Sequence, residues 1–225
     1  MSGFPLPIIP GVEPYHVDEK AGIIIYCGDC LDLLPKIPKG MVDLVLTDPP
    51  YPDHEKYGWE VPDLLSWPEY LLSTHGFIFW AGMFPLEFTA RHIWAKANRN
   101  VGTCGELYEE FYEINGSKTG LVMRHAVIDC PMNATLNGDS YFDHPCQKPI
   151  RLVRRIVRKT DGTILDSFMG SGTTLVAAKL EGRRAIGIEI EEKYCEIAKR
   201  RLQATQLGFV KPGTLKPKLP RGFLG

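Results

Sequence analysis

The apolar positions of this chain fall into two rhythms. Short β-branched runs at residues 23–27, 42–47 and 76–80 read as buried strands. The first is closed by Gly28-Asp29, the second by Asp48-Pro49-Pro50-Tyr51, which can continue neither strand nor helix. Residues 84–97 suit a helix, and 121–130 suit strands of an antiparallel hairpin, although the pattern weakens across 98–140. Residues 149–158 predict a helix with Leu152, Val153, Ile156 and Val157 inward and Arg151, Arg154, Arg155 and Arg158 along one face. There follow a strand at 163–165, a tight Gly170-Ser171-Gly172 turn, a helix at 173–180 and a strand at 185–190. A last helix at 191–205 has acids in its first turn and Lys199, Arg200 and Arg201 later, matching the helix dipole. Strands alternating with helices predict an α/β protein with a doubly wound, mostly parallel sheet and an antiparallel hairpin at one edge. The expected division is an irregular arm over 1–22, one domain over 23–207 and a basic tail over 208–225. Within the domain, 98–140 is a candidate small insert.

Composition changes little in this picture: 44% hydrophobic and 24% charged residues in a chain of 225 is ordinary for one globular domain. No apolar run approaches the ~18 residues of a membrane span, and no leader pattern opens the chain, so a soluble, cytoplasmic protein is expected. The six cysteines are scattered; Cys27-x-x-Cys30 lacks the second pair that a structural zinc would need, so free thiols and no metal are expected.

Charge does add something. Residues 1–147 hold 9 Lys and Arg against 20 Asp and Glu, whereas 148–225 hold 17 against 7. Six cations fall within 148–159 and four within 211–221, with no acid in either stretch. Both could neutralise phosphates, or be a solvated helix face and a loose tail.

The strand–Gly-x-Gly–helix unit is followed, 19 positions after Gly170, by Glu189 at the tip of the next strand. A carboxylate there can accept both hydroxyl hydrogen bonds of a ribose. Leu175 stands where a dinucleotide fingerprint has its third glycine, and no Gly-Lys-Ser/Thr follows, so a nucleoside without pyrophosphate is favoured. A tight turn that binds nothing is the alternative.

Asp48-Pro49-Pro50-Tyr51 follows a buried strand and so belongs at the carboxyl edge of the sheet, where ligands bind. An aromatic amine such as adenine N6 is a poor nucleophile, because its lone pair is delocalised into the ring. A carboxylate and a backbone carbonyl accepting its two N–H bonds would favour a pyramidal nitrogen with the lone pair aimed at a donor. Tyr51 would offer a flat face for an extruded base, worth ~1–3 kcal/mol. The alternative is a capped turn with a core tyrosine.

Together these residues resemble the amino-methyltransferases of DNA, in the permuted group whose catalytic motif precedes the glycine motif. Asp48-Pro49-Pro50-Tyr51 matches the catalytic motif in full. Asp166-Ser167-Phe168-Met169-Gly170-Ser171-Gly172-Thr173 is similar to D-P-F-x-G-S-G-T, with Ser167 in place of proline. His144-Pro145-Cys146-Gln147-Lys148-Pro149 is similar to H-P-T-Q-K-P, with Cys146 in place of threonine. Gly28-Asp29-Cys30 resembles the segment that meets the cofactor's adenine.

The resemblance implies a Rossmann-like class I methyltransferase fold, S-adenosylmethionine as methyl donor, and double-stranded DNA as partner with the target base flipped out. It implies that Asp29 and Cys30 meet the cofactor's adenine, that Glu189 holds the ribose, and that Gln147 and Lys148 reach the methionine carboxylate. Asp166, Phe168, Gly170, Ser171, Gly172 and Thr173 would form the turn around the methionine and ribose. Asp48, Pro49, Pro50 and Tyr51 would hold the target base, and an Asp at the first motif position goes with adenine N6. The arginine face of 151–158 would grip DNA, and a homodimer is expected. A cytosine-N4 enzyme and a non-catalytic cofactor- or DNA-binding subunit are the alternatives.

Overall fold

The computed structural model describes residues 6–50, 63–95, 108–116, 127–129 and 147–205. Nine strands form one sheet: β1 (His16–Asp18), β2 (Ile23–Cys27), β3 (Leu44–Thr47), β4 (Gly76–Phe79), β5 (Ala90–Ala95), β6 (Tyr108–Ile114), β7 (Val127–Asp129), β8 (Thr163–Asp166) and β9 (Arg184–Glu189). Their order across the sheet is β1-β2-β9-β8-β3-β4-β6-β5-β7. β2, β9, β8, β3 and β4 are parallel neighbours, whereas β6 is antiparallel to both β4 and β5.

Each central strand is apolar on both sides, because the sheet is covered on both faces. On one face Ile23, Ile25, Leu44, Leu46, Phe77 and Phe79 pack against three helices, α3 (Ile150–Val157), α4 (Thr173–Leu180) and α5 (Glu192–Ala204). The alternate residues Ile24, Tyr26, Val45 and Ile78 pack on the other face. They meet Leu33, at the end of the short helix α1 (Cys30–Leu33), and Leu71 of α2 (Glu69–Leu72).

Three expectations are corrected. The arm over 1–22 is not irregular throughout: β1 pairs with β2 from Asp18↔Ile23 to His16↔Ile25, and the Tyr26 hydroxyl accepts the Ile9 N–H at 2.7 Å. The described part of the stretch 84–97, residues 84–95, holds no helix. Ala90, His92 and Trp94 point inward and Arg91, Ile93 and Ala95 lie half-buried, a period of two that only a strand provides. Among the described residues the antiparallel hairpin is β5–β6; of 121–130 the described part, β7, pairs parallel to β5.

His92 is turned inward by this alternation, and with His75 it brackets Glu113, each Nε2 lying within 2.9 Å of a different carboxylate oxygen. Those two hydrogen bonds hold the Glu113 carboxyl well down, at about 2 against an ordinary 4.5. A lowered carboxylate pKa stabilises the fold fully above the ordinary value and loses that contribution as pH falls through the lowered one. Between about pH 6 and about pH 3 the wild type should thus lose about 2 kcal/mol that Glu113→Gln does not. Urea midpoints of both proteins at the two pH values check this; parallel losses would mean that the histidines do not bias Glu113.

Candidate active site

From β3 the chain turns one way across the sheet to β4, and from β8 the other way to β9. The ends of β3 and β8 therefore flank a topological switch point, where an open α/β sheet leaves a crevice at its carboxyl edge. Asp48 follows β3 and Ser167 follows β8, so motifs over a hundred residues apart become neighbours. The Thr47 hydroxyl donates to Asp166 Oδ1 at 3.0 Å across this junction. Burial pushes the Asp166 carboxyl up to about 7, against hydrogen bonds from Thr174 and Thr47.

A cavity of about 530 Å³ opens here, within the range of small-ligand sites. Asp29, Cys30, Phe168, Gly170 and Glu189 line one part of it, and Asp48, Pro50 and Lys148 another. Asp29 also caps α1, its Oδ1 accepting the Leu31 N–H at 2.8 Å. Burial raises the Cys30 thiol to about 12, so it stays protonated and acts as a small apolar wall.

The Gly170–Gly172 turn leads into α4, with Gly172 as its N-cap. Gly172 has φ +80°, and a Cβ there would lie 2.7 Å from the Ala198 Cβ. Glycine is required on both counts. Glu189 ties the turn to β9: its carboxylate accepts the Gly170 N–H and the Glu191 N–H, both at 2.9 Å. Burial nonetheless raises its pKa, those backbone hydrogen bonds opposing the rise.

At the other end, Lys148 Nζ donates to Asp48 Oδ2 at 2.5 Å and lies 3.2 Å from Glu109 Oε2 and 4.9 Å from the centre of the Phe79 ring. Burial raises the Asp48 carboxyl and the Lys148 charge lowers it, with Glu109 adding to the rise. Lys148, expected at the methionine carboxylate, is thus found paired with Asp48 of the other motif. Asp48 Oδ1 and Gln147 Oε1 are buried without a hydrogen-bond partner among the described residues, which is costly unless a ligand supplies one.

Two site residues escaped the sequence reading. Glu109 lies on β6, in the acidic segment whose strand character is weak, and only the β4–β6 pairing brings it to Lys148. Arg201 reads in the sequence only as a late-turn cation matching the dipole of α5, yet it is 4% exposed and bonded to the glycine turn. Its signal was present: Ala198, Arg201 and Leu202 share the i, i+3, i+4 face.

The arginine face of α3 divides. Glu181, 1% exposed at the end of α4, accepts from Arg154 Nε at 2.6 Å and from Arg158 Nε at 2.8 Å. Arg151, Arg155 and Arg158 are exposed. α3 runs from the carboxyl edge back toward the start of β8, so Arg158 lies ~10 Å farther along the axis than Arg151. Tyr51, residues 144–146 and the basic tail lie outside the described residues.

Residues 105–200 match the model of a DNA methylase family. The DNA adenine methyltransferase YhdJ of Escherichia coli K12 is 28% identical over 85% of this chain and 86% of its own. The Type II methyltransferase M.ScaI of Streptomyces caespitosus is 25% identical over 85% and 84%. The chain belongs to the DNA methyltransferases. The crystal structure of the M1.HpyAVI–SAM complex superposes on this methyltransferase with a TM-score of 0.56 and 25% identity, covering 80% of this chain and 98% of that one. The methyltransferase therefore has the class I, Rossmann-like fold of its relatives. Among its described residues no helix is long and apolar enough to cross a membrane.

Proposed function

We propose that the enzyme transfers the methyl group of S-adenosylmethionine to N6 of an adenine in DNA, with the base flipped from the duplex into the cleft at Asp48. The observation that carries this reading is the buried, unpartnered Asp48 Oδ1, set in one cavity with a glycine turn and a ribose-competent carboxylate. The cavity size, the turn residues Gly170, Ser171 and Thr173 in its wall, and the orphaned Gln147 Oε1, an acceptor for the methionine ammonium, all fit the cofactor. Glu189 would hold its ribose, Asp29 and Cys30 its adenine, Gln147 and Lys148 its methionine carboxylate, and residues 166–173 its middle. When bound, it supplies an electrophilic methyl on a sulfonium.

The chain's own residues do the rest. Asp48 accepts one N–H of the incoming amine and the Pro49 carbonyl the other, which returns the lone pair to nitrogen. The alkylated nitrogen then sheds a proton that Asp48 can take and pass to water. Tyr51 stacks on the base. Asp48 at the head of the motif supports adenine over cytosine. The order of the motifs supports the permuted group, where a pair of subunits would add DNA surface to that of one small chain. Purified protein, labelled S-adenosylmethionine and genomic DNA, with RNA in a parallel assay, should yield N6-methyladenine in the DNA on nucleoside analysis. N4-methylcytosine would overturn the choice of base, label in RNA alone the choice of DNA, and no label the activity.

DNA would be gripped near the carboxyl edge, by Arg151 and Arg155, rather than by the whole arginine face. Losing two phosphate contacts should flatten the plot of log affinity against log salt by roughly 1.8. Arg151→Gln/Arg155→Gln should therefore change the slope, and Arg154→Gln/Arg158→Gln should chiefly change stability. An equal effect from both pairs would return the grip to the full face.

A further inference from the structure

We infer that Arg201, far from the signature motifs, is a positioning residue for the cofactor turn. Its Nη1 donates to the Ser171 carbonyl at 2.7 Å, the Ser171 hydroxyl at 3.0 Å and the Thr173 hydroxyl at 3.1 Å. These acceptors stand on either side of Gly172, so one nitrogen spans the residue whose left-handed backbone makes the turn. α5 also presses on Gly172 from the same side through Ala198, one helical turn before Arg201. Ser171 and Thr173 in their turn line the cavity, while Arg201 does not. The turn is thereby held from two directions, by Arg201 behind it and by Glu189 through the Gly170 N–H.

A guanidinium suits this place and an ammonium does so poorly. The planar group can meet acceptors on two residues while its stem stays packed, whereas lysine offers a point charge on a flexible chain. A buried cation is costly unless its hydrogen bonds are met, and these three acceptors meet part of that cost. Arg201 suits the last turn of its own helix, α5, but not the end of the helix it faces. Arg201 puts positive charge beside the N-terminus of α4, the end of a helix that favours anions. Arg201 acts through the turn, and the inference rests on the cofactor reading above.

The test measures S-adenosylhomocysteine affinity by calorimetry for wild type, Arg201→Met and Arg201→Lys, with thermal unfolding alongside. Arg201→Met should weaken binding by about tenfold or more, since lost hydrogen bonds to a charged donor exceed 1.4 kcal/mol. Arg201→Lys should fall between, keeping the positive charge but on a shorter head and a more flexible stem. In methyl transfer the KM for S-adenosylmethionine should rise while kcat at saturation stays within about twofold. Glu181→Gln serves as the control: it disconnects Arg154 and Arg158 from the buried Glu181, and should lower the unfolding temperature with ligand affinity unchanged. Should Arg201→Met not fold, Arg201→Lys alone decides. Variants that unfold earlier but bind as wild type would overturn the inference and leave Arg201 a purely structural ion. If wild type itself gives no binding heat, the cofactor reading falls first, and this inference with it.

Discussion

Asp48→Ala should abolish methyl transfer while the protein stays folded and keeps its affinity for S-adenosylhomocysteine. The carboxylate lies at the cavity wall rather than in the core of either sheet face, and its Oδ1 makes no internal hydrogen bond among the described residues. Its loss also does not strand Lys148, which keeps Glu109 as a counter-charge at 3.2 Å. What disappears is an acceptor for the amine N–H, present where charge develops on nitrogen. Removing one preorganised group of this kind costs roughly a hundred- to a thousandfold in kcat, and the loss should appear in kcat and kcat/KM together. Asp48→Asn separates charge from geometry, because the amide retains an acceptor oxygen without the anion. Single-turnover transfer from labelled cofactor to DNA reads both variants. An Asp48→Ala protein with most of the wild-type rate would remove Asp48 from the mechanism.

Gly172→Ala should cost the enzyme most of its cofactor affinity. A φ of +80° is open to glycine but strained for any residue with a Cβ, and the added Cβ would lie 2.7 Å from that of Ala198. Backbone strain of this kind is worth about 1–3 kcal/mol, or roughly fivefold to more than a hundredfold in an equilibrium. It falls on the turn that joins Ser171 to Thr173, so relief by shifting the turn comes at the expense of the ligand. Ala198→Gly should restore part of the affinity in the double variant by removing the clash, and not all of it, since the backbone strain remains. Calorimetry with S-adenosylhomocysteine reads each protein. Wild-type affinity in Gly172→Ala would mean that the turn can relax without touching the site.

Both results rest on residues that were legible before any fold was known. Glycine turns, a Pro-Pro corner and a carboxylate at a strand tip are local features, set by backbone sterics and side-chain chemistry within a few residues. The short, unbroken apolar runs of β2, β3 and β4 were equally readable, because a strand buried on both faces needs no partner to declare itself. The helices α3, α4 and α5 carried apolar faces and, at α5, charges matched to the dipole.

The sequence alone therefore determined the central parallel sheet, the helices on one of its faces and the residue types of both motifs. The tertiary structure decided what stands beside what. Strand order at the switch point joined Asp48 to the glycine-motif half, which the chain itself separates by more than a hundred residues. Strand pairing made 90–95 a strand where local pattern suited a helix, since six residues hold too few turns to distinguish the periods until a neighbour supplies hydrogen bonds. The same pairing carried Glu109 from an unpromising acidic stretch to Lys148. Charge was the least legible property of all. Arg154 and Arg158 went to Glu181 and Arg201 went under the turn, because a charged side chain's partner is set by distances between elements, and those distances exist only once the elements have packed.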